Sequence, residues 1–292
     1  MTKSRYGIRD ILGFLAFSHG WTWTLWAMAG LSGESVWEVP GIVFFVLGGA
    51  GVLLGGIVMS RVTYGPAGLR DLGRRIVDPR PIPARWWAVT LLLFPALVVA
   101  SAVLARVAGL SAAPLDLPGA LERVAQPAQL LGMALFILII GPLPEEIGWR
   151  GYLLDRLQLR WNALVASLVI GVIWWSWHLP LFLLPGYFDA FGRLTPTPLE
   201  LLYGILPAAI LYTWVYNNTE RSVLAVILLH FMQNFSSELL GIAPDARPIL
   251  LALTTVLAAG VVTWWGPRSL RRGKPVPLPV VADEHLSENG EG

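Results

Sequence analysis

Cysteine is absent from the 292 residues, which excludes a disulfide framework, a thiolate nucleophile and any thiolate-ligated metal. Charge is scarce too: 14% of residues are Asp, Glu, Lys or Arg against 55% hydrophobic ones, and mean hydropathy is +0.62. A soluble domain of this length has no place to hide so much apolar surface. There is no phosphate-binding P-loop, and the Gly-rich run GAGVLLG at 49–55 misses the dinucleotide spacing by one residue within an apolar stretch, so nucleotide chemistry is not indicated. No HExxH pairs two histidines on one helix face. The net charge of +2 and pI near 9.1 come from arginines concentrated in alternate loops, a pattern of membrane orientation and not of nucleic-acid binding.

What is present is a series of apolar windows, each about long enough to cross a hydrocarbon core of about 30 Å as a helix. Apolar length, flanking Pro and Gly, and interfacial Trp predict eight spans near 11–31, 40–59, 86–107, 128–157, 161–184, 199–216, 222–240 and 248–266. The expected fold class is therefore all-α, a polytopic transmembrane bundle. With both termini in the cytoplasm, Lys3, Arg5 and Arg9, the six arginines of 60–85, three at 150–160, Arg221, and four basic residues after 266 lie inside. Only Arg106, Arg123, Arg193 and Arg247 then lie outside, as the positive-inside rule requires. A cleaved signal peptide is the competing reading of the first span, but the span is long for one and carries Trp21, Trp23 and Trp26. Between spans two and three, 66–80 alternates Leu69, Leu72 and Ile76 with Arg70, Arg74 and Arg75, predicting a short amphipathic helix on the cytoplasmic face. The organisation expected is N-terminal helices over 1–124, a core over 125–245, a last span over 246–266 and a solvated, disordered tail over 267–292.

Ionisable residues inside a span are costly, so they are the first candidates for function. They are Glu145, Glu146, Arg150, His178 and His230, with His19 a weaker case. Glu146 and Arg150 stand at i and i+4, about 40° apart on a helix, while Glu145 stands about 140° from Arg150. One carboxylate is then held by charge and the other stays available to bind water. His230 and Asn234 share an i, i+4 face, and His178 follows the aromatic run Trp174-Trp175-Ser176-Trp177. A carboxylate, a second imidazole and a His/Asn donor pair are the parts of a water-activating amide hydrolase. Depth, counted from Arg160, Asn162 and Arg221 at 1.5 Å per residue, puts Glu145 about 22 Å, His178 about 24 Å and His230 about 13 Å inward, a loose agreement. The structural alternative is that the histidines and Asn234 are polar glue between helices and that the tryptophans only pack or anchor. Glu200 and Glu238 fall near span ends and are expected to face water, and Asp155 and Arg156 to mark the cytoplasmic end of the fourth span.

On these residues the chain resembles the CPBP family of intramembrane proteases, which includes the type II CAAX prenyl endopeptidases and the bacteriocin-immunity (Abi) proteins. The family pattern EExxxR, FxxxH, HxxxN/D reads here as EEIGWR at 145–150, WWSWH at 174–178 and HFMQN at 230–234, within a core of roughly 125–240. The departure is Trp174, where the family usually has Phe. The resemblance implies that Glu145 with His178 activates the attacking water, that His230 and Asn234 stabilise the oxyanion, and that Glu146 and Arg150 support them. It implies a membrane-anchored peptide or protein substrate within the lipid bilayer, and a multi-pass protein of a bacterial cytoplasmic membrane. It leaves cofactors open: two His and a Glu could hold zinc or another divalent metal, or act without one. A non-catalytic immunity or scaffold protein, and a proton- or cation-coupled transporter, are the other classes; the second lacks the repeat symmetry expected of it. The site-2, presenilin and rhomboid types fit worse, since HExxH and GxGD are missing and both GLS matches follow the non-cytoplasmic ends of spans.

Overall fold

A computed structural model of the chain describes residues 8–188, 196–277 and 279. Lys3, Arg5, Arg193 and most of the acidic tail, to which topology and disorder were assigned above, lie outside the described residues. Among those described there is no strand. The chain runs through α1 (Ile8–Leu31), α2 (Gly41–Gly49), α3 (Gly51–Val77), α4 (Ala84–Val107), α5 (Leu117–Val124), α6 (Pro127–Ile140), α7 (Pro142–Gly148), α8 (Leu154–Gln158), α9 (Ala163–His178), α10 (Pro198–Asn218), α11 (Val223–Leu240) and α12 (Arg247–Trp265).

Among the described residues, seven helical stretches are long and apolar enough to cross a membrane, against the eight spans expected. The one that differs is α1. Its 24 residues suffice in length, but His19, Trp21, Thr22, Trp23 and Thr24 make it less apolar. It is nonetheless tied into the bundle: Thr22 Oγ1 donates to the Gly48 carbonyl at 2.7 Å, and Trp26 Nε1 to the Phe45 carbonyl at 2.9 Å. The molecule is thus a multi-pass, all-helical membrane bundle.

Two other expectations change. The 66–77 stretch is helical and amphipathic, but it continues α3 beyond a break at Gly65, whose φ of 63° and ψ of −154° suit glycine, followed by Pro66. The break turns Arg75 inward with Leu72, so Arg75 is buried and is not part of a solvated face. The segment 267–271, expected to begin a solvated tail, packs instead, while 272–275 are exposed. Amides of Ala163 and Leu164, unpaired donors at the start of α9, donate to the carbonyls of Arg268 and Pro267 at 2.9 and 3.0 Å. Asn217 and Asn218 reach the Ser269 and Leu270 carbonyls at 2.9 and 2.7 Å, and the Leu270 side chain is fully buried.

The site depends most on how α7 meets α3. A Cβ on Gly148 would lie 2.3 Å from the Val52 carbonyl oxygen, and one on Gly56 would lie 2.9 Å from Gly148 Cα, so the two backbones touch where only glycine fits. The middle glycine of EEIGWR therefore sets how deeply the carboxylates enter the bundle.

Candidate active site

The fourth apolar stretch, 127–158, is not one continuous α-helix. It breaks at Gly141, resumes as α7, passes through a π-helical turn at Trp149–Leu153 and ends as α8. Such turns recur at functional sites, because the wider coil re-aims side chains and releases backbone carbonyls. Glu145, Glu146 and Arg150 project from this irregular region, with Glu146 and Arg150 completely buried and Glu145 nearly so.

Glu146 is engaged twice. Arg150 Nη1 lies 3.0 Å from its Oε1 and 2.9 Å from its Oε2, and His230 Nδ1 lies 2.9 Å from Oε1. The first contact follows from the i, i+4 spacing. The second joins α7 to α11 and was not legible from spacing. Because a carboxylate only accepts, the His230 hydrogen stands on Nδ1, leaving Nε2 for the cavity. The remaining face of Arg150 is covered by aromatic rings, with its guanidinium carbon 5.1 Å from the centre of Trp174 and 4.8 Å from that of Tyr212.

Glu145 points elsewhere. It lines a large cavity, and its Oε2 accepts the indole N–H of Trp174. Trp174 thus meets Glu145, Arg150, His178 and His230. Its carbonyl accepts His178 Nδ1 at 2.8 Å, and its ring meets that of His230 edge-on at 5.3 Å between centres. The N–H that a Phe would lack gives Trp174 a role beyond the packing or anchoring expected of the tryptophans. Since a carbonyl also only accepts, His178 carries hydrogen on Nδ1 and has Nε2 free.

The cavity holds about 1180 Å³ and is mainly apolar, with Phe45, Leu53, Phe136, Leu201 and Leu251 among its lining. Glu145, His178, His230 and Asn234 all line it, whereas Glu146 and Arg150 lie behind its wall. Asn234 Nδ2 is 3.7 Å from where a Gly141 Cβ would sit, and Glu145 Oε1 is 3.9 Å from that point. All six sequence-derived residues therefore converge on one place. Glu200 and Glu238, expected to face water, also line this cavity. His19 does not. It lies 3.3 Å from the Ser18 hydroxyl and 3.4 Å from that of Ser176, as a helix-packing histidine would.

The loose agreement in depth has a physical explanation. At the start of α8, Asp155 Oδ2 pairs with Arg221 Nη2 at 2.6 Å, within a buried group that includes Asp71, Arg75 and Tyr216. Arg75 Nη2 also donates to the Gly151 carbonyl of the π-turn at 2.7 Å. The level matching Arg221 is therefore Asp155, not Arg160. Nine residues separate Glu146 from Asp155, and nine separate Arg221 from His230, so two antiparallel helices are joined at both ends of equal arms. Arg221 adopts a φ of 67°, and Glu220 beside it 49°; such backbone costs about 1–3 kcal/mol per residue and persists where contacts compensate. The sequence shows these charges but not that they meet.

Zinc needs about three protein ligands. Among the described residues no three His, Asp or Glu side chains gather closely enough to hold a metal.

Residues 127–236 match the profile of the type II CAAX prenyl endopeptidase Rce1-like family, a stretch that contains all six residues. CAAX prenyl protease 2 of Methanococcus maripaludis is 29% identical over 197 residues, 67% of this chain and 71% of that protein. Both comparisons support membership of the CPBP/CAAX protease family and the reading of the chain as an intramembrane endopeptidase.

Proposed function

We propose that this endopeptidase hydrolyses a peptide bond of a membrane-anchored substrate by water activated at Glu145 and His178, without a metal-dependent step. The observation that carries the reading is the division of labour between adjacent carboxylates. Glu146 is enclosed by Arg150 and His230, while Glu145, held by Trp174, faces a cavity large enough for a peptide.

In this scheme a water in the cavity gives a proton to Glu145 as its oxygen attacks the scissile carbonyl carbon. His178, with Nε2 unprotonated, accepts from the same water and orients it. The carbonyl oxygen becomes an oxyanion facing His230 and Asn234. To donate through Nε2, His230 must carry hydrogen on both nitrogens, and Glu146 supplies the opposing charge. The carbon–nitrogen bond then breaks, and the proton held by Glu145 passes to the leaving amine. Apolar walls exclude bulk water and strengthen each of these interactions.

The proposed substrate class is a peptide tethered to the bilayer, in line with the apolar cavity and with the name of the archaeal relative. We also place the protein in a prokaryotic cytoplasmic membrane, with α1 as an eighth span and both termini in the cytoplasm. The test is cleavage of a membrane-peptide library by purified protein in liposomes, comparing wild type with Glu145→Ala and His230→Ala at equal folded fraction. Loss of cleavage in both variants supports the assignment. Persistence in both removes it.

A further inference from the structure

Gln233 lies between His230 and Asn234 in the HFMQN run and has no part in the chemistry above. On α11 it stands about 60° to one side of His230, while Asn234 stands about 40° to the other. Asn234 shares its side with Gly141 and Glu145. Gln233 instead faces α10, where its Oε1 accepts the Tyr212 hydroxyl at 2.6 Å.

Tyr212 is fully buried, under the Arg150 guanidinium and against the His230 ring at 5.3 Å between centres. The Gln233 amide is thereby fixed to the same group of side chains that holds Glu146. Gln233 nevertheless lines the cavity, and no described protein group accepts from its Nε2. An amide anchored through its oxygen at the wall of an apolar cavity has two N–H donors that an acceptor brought in by a ligand can take. The backbone of a peptide entering an apolar cavity brings carbonyls that have lost water and need donors.

We propose that Gln233 Nε2 donates to a main-chain carbonyl of the substrate next to the scissile bond, on the α10 side, and so helps hold the peptide in the cavity. It is not assigned to the oxyanion, because it lies on the opposite side of His230 from Asn234. This rests on the reading of Glu145 and His230 as the reacting site. Because the partner is main chain, the contact is indifferent to substrate sequence and contributes to binding, not to the bond-breaking step.

The experiment uses the full chain in liposomes and a quenched fluorescent peptide selected for cleavage by the wild type. Gln233→Met removes the amide at similar length. Gln233→Glu keeps an acceptor for Tyr212 but removes both donors, which covers the case in which the first variant folds poorly. Losing one neutral hydrogen bond raises KM about threefold to tenfold, with kcat essentially retained. A thioamide, a weaker acceptor, is then placed at each flanking position in turn. In the wild type one position raises KM, and in Gln233→Met that sensitivity disappears, which a merely structural role would not produce. Unchanged KM in both variants, thioamide sensitivity that survives Gln233→Met, or a fall in kcat with KM unchanged overturns the proposal. Glu145→Gln is assayed alongside. If it remains active while the thioamide result holds, the base assignment fails and the contact at Gln233 stands.

Discussion

Replacing Trp174 with Phe tests how the presumed base is held. The substitution keeps an aromatic ring at the position where the family usually has one, and removes the single N–H that donates to Glu145. Hydrogen bonds to charged groups contribute about 1.5–3 kcal/mol net. With about 1.4 kcal/mol per tenfold change in rate, a carboxylate released from its working position costs roughly tenfold to 150-fold in kcat. The smaller ring also leaves a void beside Arg150 and His230, which are 5.1 and 5.3 Å from the indole, so a modest fall in thermal midpoint is expected too. The assay is turnover of a quenched peptide in liposomes, corrected for folded fraction by a thermal-unfolding scan. A variant with wild-type kcat would show that the indole N–H does not hold Glu145 for reaction. A variant that loses activity only in proportion to its folded fraction would reduce Trp174 to packing.

Three further outcomes are expected. Arg221→Ala removes one charge partner of Asp155, which keeps Arg75, and one of Asp71, which keeps Arg74 and Arg75, so it should destabilise by less than the about 3–5 kcal/mol of a buried charge left wholly unpaired; a thermal midpoint equal to the wild type would argue against the nine-residue arms. Gly148→Ala forces a methyl group onto the Val52 carbonyl oxygen, so activity should fall by more than tenfold even in the fraction that folds, and wild-type turnover would mean that α7 can slide without harm. Incubation with a strong divalent-metal chelator should leave cleavage intact, since the donors do not gather as a metal site; loss restored by added zinc would contradict the metal-free scheme.

Much of this site could be read before any coordinates. Apolar length and arginine placement point to a helical membrane bundle, and the cost of charge in lipid singles out Glu145, His178 and His230, which line one cavity, Glu146 and Arg150, which lie behind its wall, and His19, which lies apart from it. Helical spacing also reached the Glu146–Arg150 pair, because an i, i+4 contact lies within one helix. What spacing does not reach is the rotation of one helix against another. The bond from Trp174 to Glu145 and that from His230 to Glu146 depend on how α7, α9 and α11 face one another, and this in turn follows from the contact of Gly148 with α3. Local irregularities also defeat a regular helical count. The π-turn at 149–153 and the break at Gly65 redirect Gly151 and Arg75, and make Asp155 the level at which α8 and α11 match. The early tail packs because α9 starts with open amide donors and α10 ends in two asparagines, which together bind carbonyls that composition alone marks as solvated.

The most direct measurement sets Glu145→Gln beside Glu146→Gln in the same lipid, recording thermal midpoint and peptide turnover for each. The two residues are adjacent and the substitutions identical, so only their surroundings differ. Glu145→Gln is expected to keep the wild-type midpoint and to lose about 10²- to 10⁴-fold in kcat, the range for a general base. Glu146→Gln leaves Arg150 buried without its counter-charge and should lower the midpoint markedly. Equal behaviour of the two variants, or a Glu145→Gln protein that still turns over substrate at the wild-type rate, would contradict the account.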